Sequence, residues 1–221
     1  MECIYISGLR REAKEFTIEG DEAKHLRALR LRTGGKVLAT SAEGFVHECT
    51  AIEMGKNGYL LRVVASQDMA GEPTEDYTLA LGIIDSRDRF EFALEKSIEL
   101  GVSGFVPLMT QRSQWLRLNP ERMKAKAIAA VCQSKRSMAP EILAATKLTD
   151  LLKVEKFRTI ILADENGESP DVASIEFPAL ILIGPEGGLA DKEIELIKQD
   201  KRTRPWKLGR RRLRAETAAI A

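Results

Sequence analysis

The chain has 221 residues, of which 44% are hydrophobic, 30% charged and 5% aromatic, and its formal net charge is +1. This composition suits one or two soluble globular domains with a substantial core, and the charge balance alone names no nucleic-acid partner. It also excludes much: no apolar stretch reaches the ~20 residues of a membrane span, and "MECIYISGLRREAKEF" lacks the pattern of a secretory leader. Cys3, Cys49 and Cys132 form no CxxC pair, which suits a reducing cytoplasm, and with only His25 and His47 no metal site is expected.

Residues 1 to 70 are dominated by β-rich runs. A short helix is expected from Asp21, as N-cap, to Leu29. It precedes "GKVLATSAEGFVHECTAIEMGKNGYLLRVVAS", whose three strands are separated by turns at Glu43-Gly44 and Lys56-Asn57-Gly58. A small antiparallel barrel is the expected closure, because it leaves no free strand edge. "SQDMAGEPTED", residues 66 to 76, is polar and acidic and reads as a linker.

Beyond it, strands and helices alternate. "YTLALGIID" is a strand, and "RFEFALEKSIEL" a helix with Phe90, Leu94 and Ile98 on one face and Gly101 as its C′ residue. "GFVPLMT" follows as a strand, and Asn119-Pro120 form an N-cap and N1 pair for a helix to about Lys135. "RTIILAD", "ALILIG" and "RPWKLG" supply further strands, and "DKEIELIKQD" a further helix. The alternation predicts an α/β domain built on a mainly parallel sheet, in which ligands lie beyond the C-terminal ends of the strands.

Two basic clusters stand out in the balanced chain. One is Arg27, Arg30, Arg32 and Lys36; the other runs from Lys201 to Arg214 with eight basic residues and no acid. Each alone reads as solvated surface, and together they favour a polyanionic partner.

"IGPEGGL" follows an aliphatic strand, yet it matches neither a P-loop nor a dinucleotide-binding turn. Glu186 stands where a phosphate would otherwise lie, so a cationic or neutral ligand fits better. The competing reading is a tight strand-to-helix connection in which the glycines serve only the backbone. A second strand end, "LGRRRLRAETAA", repeats the pattern of glycine then helix, and the two turns are expected to wall one pocket after neighbouring strands.

These two motifs, with "EKSIELGVSGFVPLMTQRS" and "QSKRSMAPEI", resemble in sequence and in order the bacterial 16S ribosomal RNA uracil-N3 methyltransferase family. The family belongs to the SPOUT group of knotted S-adenosylmethionine-dependent methyltransferases. The resemblance implies a PUA-like RNA-binding barrel at residues 1–70 and a trefoil-knotted domain at residues 71–221, assembled as a cytoplasmic homodimer. It implies S-adenosylmethionine as cofactor, held by Leu182, Gly184 and Gly188 on one wall and Leu208, Gly209 and Leu213 on the other. The implied substrate is 16S rRNA, free or in the 30S subunit. Arg27, Arg30, Arg32, Arg112 and Gln133 are its expected contacts, and His25 a packing or RNA-contact residue.

For the chemistry, uracil N3 carries a proton whose pKa lies well above neutrality. A base must remove it, or cations must stabilise the oxyanion that develops at O2 or O4. Arg214 is the first candidate for the second role and Arg136 the next. Glu186 is either a base or a support of its turn, the latter favoured through backbone N–H bonds, and Glu216 is expected to pair with an arginine and orient it. Three features depart from the family pattern. Arg212 replaces an aliphatic residue; Ala190 replaces a capping serine, with Asp191 as substitute cap; and the sequence stops at Ala221, inside a helix that continues in relatives, as a shortened form would. The rival readings are a non-catalytic RNA-binding or ribosome-assembly protein on the same scaffold, and an α/β enzyme acting on a phosphorylated nucleotide.

Overall fold

The computed structural model describes residues 1–55, 58–113 and 117–221, so the turn expected at Lys56-Asn57 lies outside the described residues. The chain divides into two compact units, Met1–Glu72 with Ile128–Ala139 and Pro73–Ala127 with Pro140–Ala221.

In the first unit the elements are β1 (Cys3–Tyr5), β2 (Glu15–Glu19), α1 (Gly20–Ala28), β3 (Lys36–Thr40), β4 (Phe45–Met54) and β5 (Gly58–Asp68). They form a sheet of order β1-β3-β4-β5-β2. Three pairings are antiparallel, while β1 lies parallel to β3, so the expected all-antiparallel arrangement gives way at that edge. The reason is connectivity: α1 and β2 intervene between the two strands, and a long crossover permits a parallel pair where a tight hairpin does not. Ile18, Leu26, Val37, Tyr59 and Leu61 fill the core over the sheet. Helix α1 begins after Glu19, so its N-cap lies two residues before the expected Asp21, which stands with Glu22 in the first turn, where acids complement the exposed N–H groups.

The expected linker is in fact tied down. Strand β5 runs on to Asp68, and Glu72 is a buried acceptor. Its Oε1 takes the backbone N–H groups of Ser137 (2.9 Å) and Met138 (2.8 Å), and its Oε2 takes Arg136 Nη2 at 2.7 Å. Polarity and a Gly-Pro pair marked a linker; a carboxylate with a buried cation to meet makes it a fixed segment.

The second unit begins with β6 (Tyr77–Gly82), α2 (Arg87–Glu99) and β7 (Gly104–Met109). Then follow α3 (Pro120–Ser134), in which the boundary between the units falls, β8 (Glu141–Ile142), β9 (Thr146–Lys147) and α4 (Leu148–Leu151). The chain closes with β10 (Thr159–Glu168), β11 (Ala179–Ile183), α5 (Asp191–Gln199), β12 (Thr203–Trp206) and α6 (Ala215–Ala218). The sheet order is β12-β10-β11-β6-β7-β8, with β9 also on β7, and every pairing is parallel, as the strand–helix alternation requires. One expectation fails: β11 and β12 are not neighbours but flank β10.

Local signals set the helix ends. The Asn119 side chain accepts the N–H of Arg122 (3.1 Å) with Pro120 as first helical residue, and Gly101 takes φ +105° after α2. Asp191 does not cap α5. Glu193 does so by reaching back, its Oε2 accepting the N–H of Ala190 (2.9 Å) and its Oε1 that of Gln111 (2.8 Å). Among the described residues no helix is long and apolar enough to cross a membrane.

Candidate active site

Because β6, β10 and β11 run parallel, their C-terminal ends share one edge of the sheet, and the "GPEGGL" turn leaves β11 there. The turn is closed by the Gly188 N–H on the Pro185 carbonyl (2.8 Å), with Gly188 at φ +69°. It packs so closely on the end of β6 that a Cβ at Gly82 would overlap the Pro185 nitrogen and come within 2.8 Å of the Gly184 carbonyl carbon. From the other side Arg112, expected as an RNA contact, donates from Nη1 to the carbonyls of Gly187 (2.9 Å) and Leu189 (3.3 Å). The Gly187 and Leu189 carbonyls are thereby satisfied, and the turn is fixed.

The turn lines a cleft of about 790 Å³ whose opposite side is the loop from Lys207 to Arg214 and the start of α6. That volume lies within the range of small-molecule sites. Gly184, Gly188, Leu208, Gly209 and Leu213, all expected donor contacts, line it, as do Glu186 and Arg214. The Leu182 side chain does not: it is fully buried in the core beneath the sheet, and its neighbour Ile183 faces the cleft instead, since side chains alternate along a strand. A third wall, absent from the sequence reading, is the end of β10 from Leu162 to Asn166. It is there because β10 lies between the two strands that carry the glycine turns.

The acids of the cleft are each matched. Asp164 Oδ1 accepts the Asn166 N–H (2.9 Å), and its Oδ2 lies 2.7 Å from Lys198 Nζ as an ion contact, off the line of a hydrogen bond. Burial pushes that carboxyl up, but Lys198 and the Asn166 N–H outweigh it and hold it below its usual range. Glu165 meets Arg212 at 3.4 Å; this arginine, in place of an aliphatic residue, points to solvent with 79% of its side chain exposed.

Arg89, which no motif singled out, joins the two walls. From the first turn of α2 its Nε and Nη2 donate to Glu216 (2.7 and 2.6 Å), and its Nη1 donates to Glu186 Oε1 at 3.0 Å. The expected arginine partner of Glu216 is thus Arg89, which holds the Glu216 carboxyl below its usual range. The support of Glu186 is this guanidinium rather than backbone N–H groups. Arg214, the N-cap residue of α6, is exposed at the cleft.

The other candidates lie in the first unit. Arg136 is 2% exposed and bound to Glu72, and Gln133 is exposed on α3. Arg27, Arg30, Arg32 and His25 are exposed on or just after α1, with Arg27 Nε donating to the Ala23 carbonyl (3.2 Å).

Residues 71–221, which carry the whole of this cleft, match the family model of an RNA methyltransferase domain. The chain belongs to the RNA methyltransferase family. Ribosomal RNA small subunit methyltransferase E of Rickettsia conorii is 30% identical over 227 residues, spanning 98% of this chain and 91% of that protein. A methyltransferase of Legionella pneumophila, solved with bound SAM, superposes with a TM-score of 0.78 at 25% identity, covering 99% of this chain and 93% of its own. A ribosomal RNA small subunit methyltransferase E of Neisseria gonorrhoeae, solved bound to S-adenosyl methionine, gives a TM-score of 0.85 over 100% of this chain and 94% of its own; at 24% identity it speaks to the fold.

Proposed function

We propose that this RNA methyltransferase uses S-adenosylmethionine to methylate small-subunit ribosomal RNA at N3 of a uridine. The observation that carries the reading is the single cleft formed by both glycine-bearing strand ends, with Arg214 at its edge. The residues suit the donor. Ile183, Leu208 and Leu213 offer apolar surface to an adenine, and the glycine turns offer N–H and C=O groups to its edge. The donor supplies a methyl carbon activated by its sulfonium. The chain's part is position and charge. The walls hold the reacting centre in line, and the Arg214 guanidinium donates to the uracil oxygen on which negative charge gathers as the N3 proton passes to solvent water. Glu186, engaged by Arg89, supports the wall in this scheme, and Glu216 orients Arg89 in turn.

The finer architecture belongs to the same proposal. The second unit is a SPOUT-type domain in which the "GPEGGL" and "LGRRRLRAETAA" segments form the trefoil knot. The first unit is the PUA-like RNA-binding barrel, with Arg27, Arg30 and Arg32 on RNA phosphates, and the chain works as a homodimer in the cytoplasm. Transfer of labelled methyl to 30S particles from a strain lacking the modification, followed by nucleoside analysis, tests the reading. Arg214→Ala is expected to abolish transfer while the donor Kd stays within about threefold; unchanged turnover rejects the role of Arg214, and a product other than 3-methyluridine rejects the target atom.

A further inference from the structure

The basic run from Lys201 to Arg214 separates into two parts once its contacts are known. Arg202 is structural: its Nη1 and Nη2 donate to the carbonyls of Val154 (2.8 Å), Phe157 (3.1 Å) and Leu152 (2.7 Å), and it pairs with Asp200. Arg204 donates to the carbonyls of Lys201 and Thr203, each at 3.0 Å. Further along, Lys207, Arg210 and Arg211 are exposed, line the donor cleft and make no ion pair among the described residues. The acids that line the cleft with them are already taken, Asp164 by Lys198, Glu165 by Arg212 and Glu186 by Arg89.

This surplus of positive charge is unfavourable on two counts. The three cations repel one another, and they repel a sulfonium donor entering the same cleft. A polyanion lying along the loop removes both penalties. We propose that Lys207, Arg210 and Arg211 form the phosphate-docking edge that carries the RNA strand past the donor cleft, next to the nucleotide Arg214 acts on. The inference rests on the methyltransferase reading and adds to it where the backbone of the substrate lies. Contacts of this kind position the strand without reading its bases. Once the phosphates are in place, the field over the cleft turns from repelling the donor to tolerating it. RNA and donor binding are then mutually favourable, as linkage requires.

The test is a salt titration of binding to 30S subunits and to single-stranded oligouridylate, with wild type, the triple variant K207Q/R210Q/R211Q, and R204Q as an equal change of charge type elsewhere in the run. On the oligouridylate each lost phosphate contact is expected to flatten the log Kd against log salt slope by about 0.7, so the triple variant by about 2. R204Q is expected to leave the slope unchanged. Donor affinity of the triple variant, by calorimetry without RNA, is expected to be equal or tighter. An unchanged slope, a flattening of about 0.7 in R204Q as well, or a donor affinity that weakens in step each overturns the proposal. Should wild type itself bind S-adenosylmethionine but fail to methylate RNA, it is the methyltransferase reading that falls.

Discussion

Replacing Arg89 with methionine removes the cation that Glu186 and Glu216 share while keeping most of the side chain's bulk. Glu216 is the costlier loss, because only 10% of its side chain is exposed and both of its oxygens accept from Arg89. Truncating one member of a fully buried ion pair costs about 3–5 kcal/mol, chiefly through the charge left behind. Here Arg89 is 32% exposed, so water reaches part of the vacated space and about 2–3 kcal/mol is expected. For a chain of this size that lowers Tm by roughly 4–12 °C. The two walls of the cleft also lose their tie, and the donor Kd is expected to rise by about tenfold, equivalent to ~1.4 kcal/mol. The pH dependence has a definite sign. In the wild type Arg89 holds the Glu216 carboxyl below its ordinary 4.5, so its stabilisation is present above that value and lost as pH falls through the lower folded value. In R89M the buried carboxyl lacks its cation and resists ionising, so the variant is penalised at neutral pH and relieved in acid. Melting curves from pH 4 to 8 with calorimetry for the donor measure both effects. A Tm gap that stays constant across that range, or a donor Kd within twofold of wild type, refutes the reasoning.

Gly82→Ala is expected to displace the "GPEGGL" turn, since its Cβ has no room against Gly184 and Pro185; a stability loss of about 1–3 kcal/mol with weakened donor binding is expected in thermal melts and calorimetry. Arg136→Met strands Glu72, whose side chain is 5% exposed, and a loss of about 3–5 kcal/mol in a denaturant titration is expected, an unperturbed midpoint being the contrary result. Arg202→Ala leaves three loop carbonyls without the guanidinium and Asp200 with only the backbone N–H of residue 202, and about 2–3 kcal/mol of destabilisation is expected from the same titration.

What the residues determine by themselves is local or periodic. Asn119-Pro120 starts α3, because both its cap bond and its fixed φ act within one turn of chain. Gly101 ends α2 for the same reason, and "ALILI" is a doubly covered strand because its apolar run has no polar face to show. The two glycine turns were legible as cleft walls by resemblance and by their place after strands. Three features were not legible, and all are products of distant chain meeting. The order of β10, β11 and β12 decides that Leu162 to Asn166 form a third wall. Arg89 meets Glu216 across 127 positions, and Arg136 meets Glu72 across 64, where an isolated charge in the sequence looks the same as any surface residue. The basic run shows the division most clearly. Its eight cations are evident in the sequence, yet only burial and nearby carbonyls separate Arg202, which holds loops together, from Lys207, Arg210 and Arg211, which face the cleft. Charge is a property of the residue, whereas the partner that neutralises it is a property of the fold.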